Sequence, residues 1–474
     1  MNDPAAPMSG KGEENRLEKD QAIEKLFEMV DAAVDELVTL EQELVRIPTV
    51  NTGAVESGNE TAVCRFLEQR FEAEGILNTT LESAPGRGNF IAHMGNTAGP
   101  RLMLMSHIDV VPVEDESKWD VPPFSGQIVD GKVWGRGSED CKALVASNAM
   151  SMILLKRAGI SLGGELRLLA AADEESGGFY GIQWLAENHP DKIRADWAVN
   201  EGGGMPLKTV AGGQAYLFPV GEKGRMEARF TLAGRSAHGA RPWYADNPLY
   251  KLSELLKRLR RYQDAAEIDL RVPVFEKLGL FGVAEEATPE NIDRLLDALE
   301  TRNKGLARDL TGISRMSITP TLTAAGAKSN SIPATATLTC DVRTLPHQDE
   351  AYVRQELDKL TAGIDGISYT LDIWAVSNAS PADSPFVDLM KRATELVLDR
   401  DILMIPNLTA GFTDSRCVRP LGAQVYGFAP LTPDSDTTRP GIHGINEAME
   451  ISNLVFLTKM QVALVYLALN GRMA

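Results

Sequence analysis

The alternation of short apolar segments with helical patterns constrains the fold of this chain most. Apolar segments of strand length stand at 88–94, 100–107, 164–175 and 195–203, and helix-like stretches lie among them at 143–158 and 181–188. Strands that alternate with helices build a layered α/β domain whose sheet is mostly parallel. Because ligands of such sheets gather outside the carboxyl ends of the strands, polar residues that follow these segments become the candidates for function.

The segment from about 220 to 380 has a different order of elements. Once a polar, helix-prone insert at about 262–312 is set aside, the order is strand, helix, strand, strand, helix, strand, which is the ferredoxin-like arrangement. A chain of 474 residues is also too long for one ordinary domain. We therefore predict a disordered tail (1–18), a catalytic α/β domain built from two parts (19–220 and 380–474), and an inserted α+β lid domain (221–379).

Charge and cysteine content exclude several classes of protein. The net charge of −18 argues against nucleic acid and anionic membranes as partners. No apolar stretch of about 18 residues stands out as a membrane span, and the polar start of the chain does not resemble a signal peptide, so we expect a cytoplasmic protein. The four cysteines are scattered without a CxxC pair, which argues against a thiolate zinc site and a disulfide framework.

Histidines and carboxylates follow the predicted strands. His107 and Asp109 stand two residues apart at the end of an apolar run, so both side chains lie on one face of an extended chain. Other candidates at strand ends or glycine turns are Asp140, Asp173, Glu174, Glu175, Glu201 and His443. Imidazole together with carboxylate is the donor set that suits a divalent first-row metal, zinc before others.

The excess of carboxylates predicts more than one cation. Adjacent buried acids repel one another unless a cation neutralises them, and two metals joined by one carboxylate would use most of these groups. If Glu175 binds metal, its neighbour Glu174 points elsewhere and is suited to act as a general base. Asp109 then fits the role of accepting a hydrogen bond from His107.

Five motifs resemble the M20 metallopeptidase family in order and spacing. They are "SHIDVVP", "GRGSEDCKA", "DEESGG", "NEGG" and "HGINE", and the resemblance runs from about Leu37 to the end of the chain. This family includes carboxypeptidase G-like and S-like enzymes, aminoacylase-1, acetylornithine deacetylase and succinyl-diaminopimelate desuccinylase. The resemblance implies a zinc-peptidase-like catalytic domain, an inserted lid that also forms a homodimer, and two zinc ions per subunit, with cobalt or manganese as substitutes.

The resemblance also implies a role for each motif residue. Asp140 matches the carboxylate that bridges both zincs, His107 and Glu201 match the other ligands of one zinc, and Glu175 and His443 match those of the second. Glu174 matches the general base, and Asp109 matches the aspartate that orients the first histidine. Glutamate at 201, where other members have aspartate, is more usual in carboxypeptidases and acylases than in aminopeptidases.

Five further residues match substrate-contacting positions of the lid and of a glycine-containing loop. In "GRSAHGARP", His238 resembles the histidine that stabilises the oxyanion, in dimeric members across the subunit interface. "KSNSIP" and "CDVRTLP" supply Asn330 and Arg343, and Arg343 would hold a substrate carboxylate in a bidentate pair. "AGFTDSRCVRPLG", with Gly411 and Thr413, resembles the substrate loop of the carboxypeptidase S and aminoacylase branch.

Each of these residues taken alone also has a structural explanation. His107 with Asp109 could form a structural pair, Asp140 could cap a helix, and Glu174 with Glu175 could be a solvated turn. For His238 and Arg343, a surface role and a functional role have similar weight. The joint order of the five motifs supports the metal residues, because chance would have to place all of them together.

The sequence thus predicts a dinuclear zinc amidohydrolase of the carboxypeptidase or aminoacylase type. Its substrates would be peptides or N-acyl amino acids with a free carboxylate beside the scissile amide. Three alternatives stay open: an aminopeptidase or dipeptidase of the same family, a deacylase that acts on a non-peptide acyl group, and a metal-binding module without catalysis.

Overall fold

The structure is a computed structural model that describes residues 21–435 and 441–470. The predicted disordered tail, 1–18, lies outside these ranges. The helices are α1 (Gln21–Ala32), α2 (Val34–Val45), α3 (Glu60–Ala73), α4 (Ala143–Arg157), α5 (Ile182–Asn188), α6 (Pro190–Ile193), α7 (Pro248–Ala265), α8 (Ile292–Glu300), α9 (Lys304–Ile313), α10 (Glu350–Thr361), α11 (Pro385–Leu398), α12 (Ser415–Val418) and α13 (Ile451–Asn470).

The strands are β1 (Leu77–Glu82), β2 (Gly88–Gly95), β3 (Arg101–His107), β4 (Gln127–Val129), β5 (Lys132–Trp134), β6 (Glu165–Ala171), β7 (Trp197–Asn200), β8 (Pro206–Lys208), β9 (Gln214–Glu222), β10 (Gly224–Ala233), β11 (Ala237–His238), β12 (Ser317–Ala325), β13 (Ser331–Ile332), β14 (Thr335–Thr344), β15 (Ile367–Ala375), β16 (Asn378–Ala379), β17 (Leu403–Thr409), β18 (Gln424–Gly427) and β19 (Ala448–Glu450).

A six-stranded sheet forms the centre of the catalytic part. Its order is β1-β2-β6-β3-β7-β18; β6, β3, β7 and β18 run parallel, and β1 and β2 pair antiparallel at one edge. Successive residues of β3 enter two different cores, with Leu102 and Leu104 on one face and Met103 and Met105 on the other. A strand buried on both faces reads as a continuous apolar run, which explains why this segment was recognisable from the sequence.

Helix α13 is the element that differs most from the expectation about membrane spans. Contrary to that expectation, it is long and apolar enough to cross a membrane by length and composition, with a mean hydropathy of 1.5. In the structure 67% of that stretch is buried, and the helix packs against α1, α4 and α11. Its apolar character is therefore used in the core of the catalytic part, where a helix is covered on most sides.

The lid contains a four-stranded antiparallel sheet with the order β12-β14-β10-β15. Along the chain its elements follow as β10, α7, β12, β14, α10 and β15, which is the predicted ferredoxin-like order. Strand β10 alternates buried and more exposed residues, and the buried ones form a separate core with α7 and α10. The predicted fold class, a mostly parallel mixed sheet with an inserted ferredoxin-like domain, is confirmed.

The insert packs on the catalytic part. It contains a short helical segment at Pro273–Phe281 followed by α8 and α9. Its buried residues, among them Phe275, Leu295 and Leu310, belong to the same core as the central sheet, and not to the core of the lid. This packing differs from the predicted assignment of 262–312 to the lid domain. The segment Pro273–Phe281 and helix α9 pack against β17, which belongs to the catalytic part. The division at 220/221 and 379/380 stays a prediction.

Candidate metal centre

Three neighbouring strands of the central sheet deliver the predicted residues to one edge. Strands β6, β3 and β7 are adjacent and parallel, so their carboxyl ends meet. His107 is the last residue of β3, Glu201 directly follows β7, and the turn with Glu174 and Glu175 begins two residues after β6 ends. The side chains predicted from three separate motifs therefore approach one another at this edge.

Asp140 lies between the two histidines. Its Oδ1 is 3.0 Å from His107 Nε2, and its Oδ2 is 3.1 Å from His443 Nε2. Each histidine also meets a second carboxylate: His107 Nε2 is 3.3 Å from Glu201 Oε2, and His443 Nε2 is 3.0 Å from Glu175 Oε2. The result is two groups of donors that share Asp140, which is the arrangement expected of two cation sites joined by one carboxylate.

The donors fit a divalent cation. Donor atoms of His107, Asp140, Cys141 and Glu201 lie within 4.8 Å of one another, and so do those of Asp140, Glu175 and His443. Among the described residues, the three carboxylates form ion pairs only with the two histidines. In addition, Glu175 Oε1 is buried with no hydrogen-bond partner in the described part of the chain. Buried carboxylates without such compensation are costly, and a cation supplies it.

The histidines are strong bases in this environment. Burial alone would lower the pKa of His107, but the carboxylates of Glu201, Asp109 and Asp140 raise that pKa well above its usual value. The hydrogen bonds with Asp140 and Glu175 raise the pKa of His443 to about 10. Protons and cations therefore compete for the same ring nitrogens.

Glu174 has no place in either group of donors. Burial and the charge of Glu201 raise the pKa of its carboxyl well above the usual value, which is the property of a carboxylate that accepts protons near neutral pH. Asp109 holds the turn that carries it, because its carboxylate accepts hydrogen bonds from the backbone N–H groups of Glu174 at 3.0 Å and Glu175 at 3.2 Å. His107 Nδ1 lies closer to the backbone carbonyl of Asp109 (3.0 Å) than to its carboxylate (3.5 Å).

Cys141 is near the donors but is a neutral thiol. Burial raises its pKa to about 12. The thiol donates to the backbone carbonyl of His107 at 3.3 Å, and the backbone N–H of His107 donates to the sulfur at 3.2 Å. Cys141 therefore ties the end of β3 to the segment that carries Asp140.

Several buried polar residues that support the site had no separate signal in the sequence. Asn51 Nδ2 lies 2.8 Å from Asp109 Oδ2 and 2.9 Å from Asp173 Oδ1, so it joins the turn to the end of β3. The buried Arg87 pairs with Asp173 at 2.7 Å and with Glu60 at 2.8 Å. Such residues are found only when the hydrogen-bond donor of each buried acceptor is traced in the structure.

In the lid, the structure brings His238 and Asn330 together. Strand β11 pairs with β13, and the N–H of Gly239 donates to the carbonyl of Asn330 at 2.8 Å. Both side chains are exposed, and Ala240 N–H donates to His238 Nδ1 at 3.1 Å. We call His107, Asp140, Glu175, Glu201 and His443 together the metal cluster. Within the described residues, no hydrogen bond or ion pair joins the side chain of His238 or Asn330 to this cluster.

Arg343 lies next to the predicted substrate loop. Its Nε donates to Asp341 Oδ2 at 2.8 Å, and its guanidinium carbon lies 5.9 Å from the centre of the Phe412 ring. Phe412 stands in the loop between Gly411, which is exposed, and Thr413. The lid and the loop therefore approach each other at the residues that the sequence selected for substrate binding.

The polar groups of Thr413 are used inside the protein. Its backbone N–H donates to the carboxylate of Glu222, and its hydroxyl oxygen accepts from the N–H of Ser415 at 3.2 Å. Thr413 thus shapes the loop, while the exposed backbone around Gly411 is free of such contacts in the described structure.

Known proteins resemble this chain in sequence and in fold. The family model described as Peptidase family M20/M25/M40 matches residues 103–467. A probable succinyl-diaminopimelate desuccinylase of Staphylococcus aureus is 26% identical over 371 residues, which are 76% of this chain and 82% of that protein.

Two solved structures show the same fold. The M20 family metallo-carboxypeptidase Sso-CP2 from Sulfolobus solfataricus has a TM-score of 0.66 at 19% identity and covers 94% of this chain and 99% of its own. The Bacillus subtilis YXEP protein, described as a dinuclear metal binding peptidase, has a TM-score of 0.61 at 15% identity and covers 93% and 100%.

The fold and the donor cluster define a metal-dependent hydrolase. The chain belongs to the peptidase family M20/M25/M40, so the family resemblance found in the motifs is confirmed.

Proposed function

We propose that this protein is a dinuclear zinc amidohydrolase that cleaves the amide bond of peptides or N-acyl amino acids with a free carboxylate. The position of Asp140 carries this proposal, since its two carboxylate oxygens face different histidines at 3.0 and 3.1 Å. Histidine with carboxylate favours zinc over the hard cations, which prefer oxygen ligands alone. His107 and Glu201 would complete one site, and Glu175 and His443 the other.

Glu174 is the proton carrier in this proposal. Bound cations would supply Lewis acidity to the scissile carbonyl and lower the pKa of water nearby. Glu174 then takes the proton of the attacking water and delivers it to the leaving nitrogen, which its raised pKa permits. Asp109 fixes the Glu174 backbone through the hydrogen bond at 3.0 Å, so the base stays beside the donors.

The lid and the loop at 411–413 would supply the groups that hold the substrate. Arg343, which lies beside Phe412, would pair with the substrate carboxylate, and Asn330 and Gly411 would offer polar groups around it. His238 would stabilise the oxyanion, either after lid closure or from a second subunit of a homodimer formed through the lid. We also propose that the protein is a soluble, cytoplasmic homodimer.

The experiment compares two neighbouring glutamates in the purified, zinc-loaded protein. Glu174→Gln should lower kcat on an N-acyl amino acid by at least a thousandfold while the zinc content stays normal. Glu175→Gln should lower the zinc content, since it removes a proposed ligand. Ser176→Ala, in the same turn, serves as the control with normal zinc and activity.

Three results would contradict the assignment. Zinc loss in Glu174→Gln would make this residue a ligand, and full activity of the variant would exclude it as the base. Cleavage of free dipeptides in preference to N-blocked ones would favour the aminopeptidase or dipeptidase alternative. Normal zinc content without turnover of any N-acyl or dipeptide substrate would favour the metal-binding module.

A further inference from the structure

A cavity of about 370 Å³ opens beside the metal cluster. Asp140, Cys141 and Glu201 form part of its wall, so whatever fills the cavity lies next to the proposed reaction centre. The volume falls within the range of small-molecule pockets in proteins. Most of the wall is apolar, and the side chains that matter for the argument are Leu217, Leu306, Ile313, Leu408, Leu431 and Met449.

The insert builds one side of this cavity. Leu306 and Ile313 lie on α9 and are both buried, and α9 packs beside β17, whose residue Leu408 is also in the wall. Met205 lines the cavity and is 38% exposed to solvent, whereas Met449, also in the wall, is only 5% exposed. The insert thus gives this chain an apolar chamber that leads from the surface to the metal cluster.

The cavity is separate from the residues proposed to hold the substrate carboxylate. Neither Arg343 nor Asn330 nor His238 contributes to its wall. The charged side chains among the described residues of the wall are the carboxylates of the cluster together with Glu139 and Asp309, and no lysine or arginine of the described ranges 21–435 and 441–470 is among them. An apolar group would bury surface in such a chamber, while a terminal carboxylate would lie near Glu139 and Asp309, with no basic side chain of the described wall residues to pair with it.

We propose that this cavity is the acyl-group site, and that it takes a straight-chain aliphatic acyl group of medium length. The proposal rests on the proposed amidohydrolase function: with the carboxylate of an N-acyl amino acid held on the lid side and the amide at the cluster, the acyl chain enters the chamber. N-acyl amino acids whose acyl group ends in a carboxylate, such as N-succinyl derivatives, are therefore poor substrates.

The test is an acyl-chain series on two amino acids. N-acetyl, N-butanoyl, N-hexanoyl, N-octanoyl and N-succinyl derivatives of L-alanine and L-leucine are assayed with the zinc-loaded protein. Each buried methylene contributes up to about fourfold in affinity, so burying even two more than acetyl gives about tenfold. We expect kcat/KM for octanoyl to exceed that for acetyl at least tenfold, and butanoyl to exceed succinyl, which has the same number of carbons.

A filling substitution at the rim ties this preference to the cavity. Met205→Trp should lower the octanoyl-to-acetyl ratio of kcat/KM at least tenfold, and because Met205 is partly exposed the change is compatible with folding. Leu77→Trp, at a position that is 67% exposed on β1 and outside the cavity wall, is the matched control and should keep the wild-type ratio.

Failure of this proposal is distinguishable from failure of the proposed function. Three results would overturn the acyl-site assignment alone, provided that the protein hydrolyses the amides. They are a kcat/KM that does not rise from acetyl to octanoyl, equal kcat/KM for succinyl and butanoyl, and an unchanged octanoyl-to-acetyl ratio in Met205→Trp. Calorimetric titration with octanoate provides a readout without turnover. Octanoate binding to wild type and Leu77→Trp that weakens in Met205→Trp would support the apolar site even if no amide were cleaved; no octanoate binding to wild type would overturn it.

Discussion

Glu447 holds the backbone of Asp140 in place. Glu447 Oε1 accepts a hydrogen bond from the N–H of Asp140 at 3.0 Å, although the two residues are 307 positions apart. The same oxygen accepts from the N–H of Glu139 at 2.9 Å, and Oε2 pairs with the buried Arg136 at 2.5 Å. Glu447 therefore fixes the loop that carries the shared carboxylate of the metal cluster.

Removing this support should weaken metal binding. Residues that orient metal ligands typically contribute 10–100-fold to metal affinity, so we expect Glu447→Ala to lower zinc affinity by about that factor. Glu447→Gln keeps one oxygen acceptor and should have a smaller effect. Glu450→Ala, which removes an ion pair with Lys132 nearby, is the control. Competition with a chelator measures the affinity; equal values for all variants would contradict the role of Glu447.

The buried ion pairs of Arg87 should matter for stability. Arg87 pairs with Glu60 and Asp173, and all three side chains are almost completely buried. Breaking such a pair leaves uncompensated buried charge, so Arg87→Met should lower the free energy of unfolding by about 3–5 kcal/mol. Arg294→Met removes an exposed pair with Glu285, which solvent screens, and should cost far less stability than Arg87→Met. Chemical denaturation measures both, and similar values for the two variants would refute this reasoning.

Zinc affinity should rise with pH. In the metal-free protein His443, with its pKa raised to about 10 by Asp140 and Glu175, keeps a proton at neutral pH that a cation must displace. As the pH rises from 6 towards 10 fewer protons compete, so the apparent affinity should increase up to about tenfold per pH unit for each displaced proton. Calorimetry at several pH values tests this. His443→Gln should show a shallower dependence, and equal wild-type affinity at pH 6 and pH 8 would contradict the prediction.

The buried Lys223 should make the free energy of unfolding depend on pH. It is buried where the catalytic part meets the lid, and its Nζ donates to the carbonyls of Gly312 at 2.8 Å and Arg315 at 2.6 Å. Burial lowers its pKa from 10.5 to about 7. Between these two values the unfolded chain binds the proton and the folded protein does not, so the free energy of unfolding rises with pH by up to about 1.4 kcal/mol per unit.

Two variants isolate this contribution. Lys223→Met removes the titrating group, so its free energy of unfolding should lack the rise between pH 7 and 10.5 that Lys223 gives the wild type. The exposed Lys208, changed to Met, should leave the wild-type slope intact. Denaturation at a series of pH values provides the comparison, and parallel profiles for all three proteins would rule out the buried neutral lysine.

The central sheet and the metal cluster could be predicted because their signals are local. The run from Leu102 to Met105 ends at His107, and the alternation of side chains along a strand is a property of the backbone itself. The packing of the insert could not be predicted in the same way, since its amphipathic helices show that a face is buried but not against which part of the protein. In α13, the apolar composition suits a core helix and a membrane helix equally, and only its neighbours decide between them.

The sequence by itself determined the order of elements, the ferredoxin-like insertion and the residues able to bind cations. The spacing of apolar residues and the side-chain types that can bind a cation are local properties of the chain. Only the tertiary structure decided that Glu447 supports Asp140, that Asn51 joins Asp109 to Asp173, and that α9 of the insert forms a wall of the cavity. These contacts join segments far apart in sequence. They depend on which surfaces pack together, and no local pattern specifies that.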